Sequence, residues 1–456
     1  MVLRRPTRPL RFCCTPRSRP CSPCLPACNG SEVIGDPGRA WDGEHHRWHD
    51  RTLMDLDALH QELVSSPDLL IVQDLDGVCM PLVRDPLTRQ LPADYVKAAS
   101  RLRGSFSVLT NGEHEGRRGV NRLVEQGLDD PGQARRDGLY LPGLAAGGVQ
   151  LQDEFGCLSH PGVSDEEMAF LAAVPEHLAT LLAQVLPDRM PELSRDELHT
   201  EIDRAILDMQ VAPTINLNSL YSRVPGNVLR QRSLQAMLES VMQELMAMAA
   251  DQGLSESFFL HVAPNLGRDA QGKERLKPAT QGDVGSTDIQ FMLRGSIKEV
   301  GLLVLINRHI AARTGTAPLG DHFNVRTAPH DHNSLIELCK ERIPRDQMPH
   351  LVGVGDTVTS TPCSSGEGWL RGGSDRGFLT LLQELGETFG QSNRVVLVDS
   401  SGGEVDRPSF SDGTFEGISD PDDPLQFDVC IPGGPNQYVA WFIEMAQARS
   451  MACLGR

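Results

Sequence analysis

Asp68-Leu-Leu-Ile-Val-Gln-Asp74-Leu-Asp76-Gly77 is a short apolar run that ends in two carboxylates and a glycine. An apolar run of this length, bounded by turn residues, is typical of a parallel-sheet strand that is buried on both faces. Open α/β sheets place their functional residues in the loops at the carboxyl ends of such strands. Asp74 and Asp76 are therefore candidate functional residues.

Further apolar runs follow the same pattern. One spans 104–110 and leads into Asn111, and another spans 350–356 and ends at Asp356. Strands are also predicted over 288–293 and 394–399, and helices over 113–126, 230–251, 298–312 and 438–448. Strands that alternate with helices predict an α/β protein with a doubly wound parallel sheet.

Composition excludes several classes of function. The 456 residues carry 43 Lys and Arg against 61 Asp and Glu, a net charge of −18, which argues against a nucleic-acid or anionic-membrane surface. No apolar run approaches the roughly 20 residues of a membrane-spanning helix. Beyond residue 28 the cysteines are scattered singly, as in reduced cytoplasmic proteins. We therefore expect a cytoplasmic protein without nucleic-acid or membrane partners.

The first 50 residues differ in composition from the rest. Five of the 11 cysteines lie in the first 28 residues, among many prolines and arginines. The Cys-x-x-Cys spacing of Cys21 and Cys24 allows a zinc site, but no second ligand pair on a folded element follows it. A disordered basic tail over 1–50 is the favoured interpretation.

The residues at the predicted strand ends form a chemically coherent set. They comprise several carboxylates, the Thr110 hydroxyl and, at the start of the helix predicted over 298–312, the Lys298 ammonium. One carboxylate can attack phosphorus while another protonates the leaving oxygen. Mg²⁺ held by carboxylate oxygens would offset the repulsion between an anionic nucleophile and an anionic substrate. The set therefore indicates hydrolysis of a phosphomonoester.

These motifs resemble those of the haloacid dehalogenase-like phosphatases. The four matching stretches are Asp74-Leu-Asp76-Gly-Val, Val-Leu-Thr110-Asn111-Gly, Gly295-Ser-Ile-Lys298-Glu-Val-Gly-Leu and Val-Gly-Asp356-Thr. The resemblance implies that Asp74 is the nucleophile, Asp76 the general acid and base, and Lys298 a catalytic cation. It also implies that Thr110 and Asn111 bind the phosphoryl group, and that Asp74, the Asp76 carbonyl and Asp356 bind Mg²⁺.

The fourth motif departs from the family pattern. A second acid often follows the first by four or five residues, where this chain has Ser360 and Thr361. Asp375 is a candidate replacement, with water alone as the alternative. Arg371, whose glycine neighbours allow close backbone approach, is a candidate contact for phosphate or sugar.

Motif spacing predicts the position of a second domain. Only 36 residues separate Asp74 from Thr110, whereas 188 separate Thr110 from Lys298. The longer interval exceeds what one crossover needs, and by resemblance it would hold a large α+β cap between the second and third motifs. We predict core segments at 55–160 and 291–456 and a cap at 161–290.

The stretches 72–80, 85–89, 352–362 and 368–378 are similar to those of the glucosylglycerol-3-phosphate phosphatases of salt-adapted cyanobacteria. That resemblance implies release of phosphate from a sugar phosphate to give the osmolyte glucosylglycerol, and it allows an association with the glucosylglycerol-phosphate synthase. Two alternatives stay open. The substrate could be sucrose, trehalose or mannosylglycerate phosphate, or the chain could be a catalytically silent relative that binds a sugar phosphate.

Overall fold

A computed structural model describes residues 53–454, apart from 208, 270 and 364–366. The tail predicted over 1–50 lies outside the described residues. The strands are β1 (Leu69–Gln73), β2 (Phe106–Leu109), β3 (Gly143–Ala145), β4 (Gln150–Gln152), β5 (Leu158–Ser159), β6 (Ile206–Leu207), β7 (Thr214–Asn216), β8 (Phe258–Ala263), β9 (Asn265–Arg268), β10 (Glu274–Leu276), β11 (Asp288–Leu293), β12 (His350–Gly355), β13 (Thr359–Pro362), β14 (Trp369–Gly372), β15 (Arg394–Val398) and β16 (Val429–Ile431). The helices are α1 (Leu56–Ser65), α2 (Ala93–Arg101), α3 (Val120–Gly127), α4 (Gln133–Asp137), α5 (Asp165–Arg189), α6 (Arg195–Ala205), α7 (Asn218–Arg223), α8 (Val228–Asp251), α9 (Lys298–Thr314), α10 (His332–Arg342), α11 (Arg376–Phe389) and α12 (Gly434–Leu454).

The larger sheet has the order β16-β15-β12-β1-β2-β3-β4-β5. The strands from β16 to β3 are parallel, and β4 and β5 add an antiparallel edge. From β1 the chain first builds outward through β2 and β3, and it later returns to β12 on the other side of β1. The strand order therefore reverses between β1 and β12, which is where open α/β sheets bind their ligands.

Alternating side chains of β1 explain why helices cover both faces of this sheet. Leu69 and Ile71 pack with α1, α2 and α12, whereas Leu70 and Val72 pack with α9 and α11 on the opposite face. All five residues of β1 are buried, as expected for a central strand whose first four residues are apolar. The predicted doubly wound α/β core is confirmed.

A second, four-stranded antiparallel sheet has the order β6-β7-β11-β8. Its apolar face, which includes Phe258 and Phe291, packs against the long helices α5 and α8. These elements, from α5 to β11, lie between Thr110 and Lys298, and we call residues 165–293 the cap and the remainder the core. The α+β cap belongs to the predicted fold class, whereas the exact domain boundaries stay predictions.

One helix of the described chain, α5, is long and apolar enough to meet a length and composition test for a membrane span. Its apolar side chains recur at helical spacing, with Phe170, Val174, Leu178 and Leu182 buried against the rest of the cap. Charged side chains and two internal prolines accompany them. A helix of this kind is typical of a packed core.

The helix predicted over 113–126 is shorter in the structure. It begins at Val120, so the prediction was wrong for its first seven residues. Glu113 lies outside the helix, so its carboxylate does not interact with the helix N-terminus as predicted. It accepts hydrogen bonds from the backbone N–H groups of Gln210 (2.8 Å), Val211 (2.6 Å) and Ala212 (2.9 Å) in the cap. A contact with residues almost 100 positions away cannot be read from local periodicity.

A row of buried hydrogen bonds connects the last residue of β1 to two tyrosines, and its loss should destabilise the fold. The Tyr438 hydroxyl donates to Gln73 Oε1 (2.6 Å), and Gln73 Nε2 donates to the Tyr95 hydroxyl (2.7 Å). Tyr438→Phe should leave the buried Gln73 oxygen without a donor and lower the free energy of unfolding by about 1–3 kcal/mol. Urea denaturation measures the loss.

Tyr140→Phe is the matched control for that variant. The Tyr140 hydroxyl donates to the Glu125 carboxylate in a partly exposed position, where water can replace it. We expect a smaller loss of unfolding free energy for Tyr140→Phe than for Tyr438→Phe. Equal losses in the two variants would contradict the interpretation of these buried hydrogen bonds.

Candidate active site

Asp74 lies at the carboxyl end of β1, at the reversal of strand order. Its backbone N–H donates to the Val354 carbonyl (2.9 Å), which fixes the residue beside β12. One carboxylate oxygen accepts from the Leu75 N–H (2.8 Å), and the other contacts Lys298 Nζ (2.8 Å). The side chain is 9% exposed, so its charge is offset by groups of the protein more than by bulk water.

Asp356 lies at the equivalent end of the neighbouring strand β12. Both of its carboxylate oxygens are buried and lack a hydrogen-bond partner in the described chain. Gly77, which has a positive φ of 81°, passes directly over this carboxylate. A Cβ atom at Gly77 would overlap the Asp356 side chain. The glycine of the first motif is therefore needed for close approach as well as for its backbone conformation.

Asp375, one of the two alternatives left open for the second acid, lies immediately before α11. Its Oδ1 accepts from Lys298 Nζ (2.7 Å), and its Oδ2 accepts from the backbone N–H groups of Asp356 and Thr357 (3.0 Å each). It is fully buried. The structure therefore brings Asp375 together with Asp74, Asp356 and Lys298, although 19 residues separate it from Asp356 in the sequence.

Burial and mutual repulsion shift the acidities in this cluster. Burial raises the pKa of Asp74 to about 7, with a further increase from Asp375, while Lys298 opposes the rise. Burial, followed by the charges of Asp375 and Asp74, holds the pKa of Asp356 well above its usual range. Burial would lower the pKa of Lys298, but its attraction to Asp375 and Asp74 outweighs this effect and raises that pKa.

Carboxylate oxygens of Asp74, Asp356 and Asp375 lie within 4.8 Å of one another. The donor set is all oxygen, as hard divalent cations prefer. A cation would also satisfy the two buried oxygens of Asp356, which have no partner among the described residues. The residues therefore fit a divalent metal ion.

Asp76 lies on the other side of the same loop and forms an ion pair with Arg89. The guanidinium Nη1 contacts both carboxylate oxygens, at 2.8 and 3.1 Å, and Nη2 donates to the Arg118 carbonyl. The Asp76 side chain is 33% exposed, which leaves it accessible from the cavity. Arg89 therefore fixes the orientation of this carboxylate toward the cavity that Asp74 also lines.

Thr110 and Asn111 follow β2, the parallel neighbour of β1. Thr110 is buried, and its hydroxyl accepts from the Gly112 N–H (3.2 Å). Asn111 Nδ2 lies 2.9 Å from Nε2 of His261, a residue of the cap. The other ring nitrogen, Nδ1, lies 2.9 Å from the Glu274 carboxylate. A ring proton on Nδ1 donates to Glu274, so that Nε2 accepts from Asn111.

Arg371, the candidate contact for phosphate or sugar, is paired with an acid of the core. It lies on β14, and its Nε and Nη2 donate to the buried Asp420 carboxylate at 2.8 and 2.6 Å. Arg371 lines a second cavity, together with Asn111 and Lys298. Its guanidinium stabilises the loop that carries Asp420 and does not contact Asp74 or Thr110.

One cavity joins several of these groups to the cap. Its lining includes Asp74, Asp76, Arg89, Thr110, Asn111, Arg118 and Arg407 from the core, and Asn216, Asn218, Thr287, Asp288 and Gln290 from the cap. Sequence reasoning missed Arg89 as a site residue, although the stretch 85–89 carries part of the family resemblance. It also missed Glu113 and His261, for which the sequence offers no local signal, because their partners lie about 100 and 150 residues away.

Comparison with known proteins identifies the family. Residues 68–446 match the family model described as glucosylglycerol-phosphate phosphatase. The chain belongs to the glucosylglycerol-phosphate phosphatase family. A curated relative from Synechocystis sp., named glucosylglycerol-phosphate phosphatase, is 48% identical over 410 residues, which cover 88% of this chain and 97% of the relative. The predicted resemblance is confirmed at the level of the family.

Solved structures of other phosphatases are more distant. The C-terminal domain of a C. albicans trehalose-6-phosphate phosphatase has a TM-score of 0.44 and 13% identity, covering 87% of this chain and 97% of that one. An Aspergillus fumigatus trehalose-6-phosphate phosphatase has a TM-score of 0.36 and 9% identity, covering 87% of this chain and 98% of that one. Similarities at this level carry no argument about the site.

The raised pKa values of Asp74 and Asp356 predict pH-dependent metal binding. Protonated Asp74 stabilises the metal-free fold below about pH 4, the ordinary range of an aspartate, and this contribution is lost as the pH rises through about 7. A divalent cation replaces the proton, so the increase in melting temperature caused by Mg²⁺ should be larger at about pH 8 than at about pH 5.5. Thermal denaturation with Mg²⁺ or with a chelator measures this difference.

Asp356→Asn is the control, because it removes the one carboxylate of the cluster whose two oxygens lack partners in the described chain. The variant should fold and lose most of the Mg²⁺-dependent increase. An equal increase at both pH values, or a full increase in Asp356→Asn, would contradict the assignment of the cation to this cluster.

Proposed function

We propose that the protein is a phosphomonoesterase that releases phosphate from glucosylglycerol 3-phosphate through an aspartyl-phosphate on Asp74. The contact of Asp74 with Lys298, beside the unpartnered Asp356 carboxylate of the described chain, carries the reaction class. The name of the 48%-identical relative supports the substrate. The cavity shared by Asp74 and the cap provides space for a phosphate at one end and a sugar at the other.

In the first step, an Asp74 carboxylate oxygen attacks phosphorus, and the bond from phosphorus to the substrate oxygen breaks. Asp76 donates its proton to that leaving oxygen, which departs as a neutral alcohol. In the second step, water attacks the phosphorus of the aspartyl-phosphate. The Asp76 carboxylate then accepts a proton from the water, and Asp74 is regenerated together with inorganic phosphate.

Three other residues orient the phosphoryl group in this proposal. The Thr110 hydroxyl and the Asn111 backbone N–H donate to phosphoryl oxygens, and the Lys298 ammonium stabilises negative charge near the attacking oxygen. Asp375 keeps Lys298 in position, because its carboxylate accepts a second hydrogen bond from Nζ beside the contact with Asp74. A fixed cation needs no reorganisation when charge develops during the reaction.

Asp74, Asp356 and the Asp76 carbonyl would hold Mg²⁺, with Asp375 as a further carboxylate within reach. Bound there, the ion supplies positive charge that offsets the repulsion between the carboxylate and the phosphoryl group. Without it, the cluster has three carboxylates and, among the described residues, a single neighbouring ammonium. The proposed activity is therefore Mg²⁺-dependent.

A cytoplasmic location is part of this proposal. The six cysteines in the described part of the chain are all unpaired, which is typical of a reducing compartment. The partner that we expect is the synthase that produces the phosphorylated sugar. That association stays a prediction.

Asp74→Asn tests the proposed nucleophile. Asn has the same shape but cannot form an acyl phosphate, so phosphate release should fall by at least about 10⁴-fold at unchanged protein fold. Phosphate release from glucosylglycerol phosphate is the measurement, and thermal denaturation checks folding. Wild-type release by the folded variant would exclude Asp74 as the nucleophile.

A panel of substrates tests the alternatives within this reaction. Glucosylglycerol, sucrose, trehalose and mannosylglycerate phosphates are compared by kcat/KM in the presence of Mg²⁺. The first should be hydrolysed most efficiently. Higher efficiency with another member would reassign the substrate, and release from none would favour a silent binding protein.

Asp76→Asn separates the two proton-transfer steps. A sugar alcohol is a poor leaving group, so turnover of glucosylglycerol phosphate should fall by roughly 10²–10⁴-fold. With p-nitrophenyl phosphate, whose leaving group needs no proton, the first step should persist and the second should slow. We expect a burst of about one p-nitrophenol per enzyme, measured by stopped-flow absorbance. Equal losses on both substrates without a burst would contradict this role.

A further inference from the structure

The cap faces the catalytic cavity with a polar surface on its antiparallel sheet. Asn216 on β7 lies directly opposite Asp288 on β11, and Gln290 follows two residues later on the same face. Directly paired residues, and residues two apart, point to one side of a sheet. The intervening residues Ile215 and Ile289 pair on the other side, which packs against the cap helices.

This polar surface lies in the cavity that contains the proposed nucleophile. Asn216, Asp288 and Gln290 line the cavity that Asp74 and Thr110 also line. They come from the cap wall, whereas the proposed phosphate-binding groups come from the core. A ligand whose phosphate contacts Asp74 therefore extends its other end toward these three side chains.

The hydrogen bonds within the surface leave one strong acceptor unused. Asp288 Oδ1 accepts from Asn216 Nδ2 (2.7 Å), and Asp288 Oδ2 accepts from the Thr287 hydroxyl (2.6 Å). Gln290 Oε1, in contrast, is buried and has no hydrogen-bond partner in the described chain. A buried amide oxygen without a donor destabilises the structure, and a ligand hydroxyl is a donor of suitable size to remove that deficit.

Charge on the cap wall restricts the ligand further. The described cap residues that line the cavity carry amide, hydroxyl, carboxylate and apolar side chains, and none is cationic. Burial raises the pKa of Asp288, and Arg407 from the core opposes the rise. Burial already disfavours the negative charge of Asp288. A carboxylate or a second phosphate on the ligand, placed beside Asp288, would be disfavoured still more strongly.

We propose that Asn216, Asp288 and Gln290 form a subsite for the uncharged, polyhydroxylated end of the substrate. Gln290 Oε1 accepts from a sugar hydroxyl, while Asn216 and Asp288 hold each other in the orientation that presents the polar face. The subsite selects neutral sugar phosphates over those that carry a carboxylate at the far end. This inference rests on the proposed phosphatase function and specifies its substrate class.

Gln290→Met tests the acceptor, because Met has a similar volume but cannot accept the sugar hydroxyl strongly. KM for glucosylglycerol phosphate should rise roughly 10-fold. The loss in kcat/KM should be much smaller with p-nitrophenyl phosphate, which lacks the hydroxyls. The matched control is Gln243→Met, on an exposed position of α8, which should change neither substrate's kinetics.

Asp288→Asn tests the charge selection while keeping the size of the side chain. The ratio of kcat/KM for glucuronosylglycerol phosphate, whose carboxylate is on the sugar, to that for glucosylglycerol phosphate should increase about 10-fold, because the carboxylate no longer meets a negative charge. Gln290→Met with equal losses on the sugar and aryl substrates would overturn the subsite. An unchanged ratio in Asp288→Asn, or a wild-type preference for the carboxylate-bearing substrate, would overturn the charge selection.

Binding measurements separate this inference from the proposed reaction. In an Asp74→Asn background, calorimetry compares the affinity for glucosylglycerol phosphate with and without Gln290→Met. Binding that is about 10-fold weaker with Gln290→Met than without it supports the subsite, even if the wild-type protein shows no turnover. Equal affinity of the two folded variants would overturn the subsite while leaving the assignment of Asp74 as nucleophile intact.

Discussion

The buried ion pair of Lys298 with Asp74 and Asp375 is the interaction on which the site depends. Burying several charges is unfavourable unless each is paired and hydrogen-bonded. Here one ammonium contacts two carboxylates at 2.8 and 2.7 Å, and a third carboxylate, Asp356, has no hydrogen-bond partner in the described chain. With all three acids ionised, the cluster carries two excess negative charges. A divalent cation matches that excess, so the same burial that weakens the metal-free cluster favours metal binding.

Backbone geometry places these charges together. β1 and β12 are adjacent and parallel, so Asp74 and Asp356, which each follow the last residue of their strand, meet at one edge. Lys298 begins α9 and Asp375 precedes α11, and these two helices pack against each other on one face of the sheet. Two strand ends and two helix N-termini thus bring together four residues that are distant in sequence. The topology supplies the proximity that the chemistry requires.

The sequence predicts the parts of the site that follow regular elements. Asp74, Thr110 and Asp356 could be assigned because each ends a strongly apolar run, and strand polarity then brings those ends together. For the second acid of the fourth motif, the sequence left Asp375 and water as alternatives. The position of Asp375 depends on the path of the β13–β14 hairpin, and the pattern of apolar residues does not predict the length of that hairpin. Arg89 depends likewise on the fold of an irregular loop. Long-range contacts of irregular segments leave no periodic signal.

The residues that connect the cap to the core differ from the cap residues that we propose to bind the sugar. Glu113, next to the proposed phosphate-binding loop, binds backbone N–H groups of 210–212 and therefore depends little on which side chains those positions carry. The polar surface formed by Asn216, Asp288 and Gln290 acts through side chains instead. Substitutions on that surface could change the sugar that is accepted without disturbing the Glu113 contact. Because the proposed catalytic groups all come from the core, the cap can be adapted to a new leaving group while the proposed phosphoryl-transfer geometry is preserved.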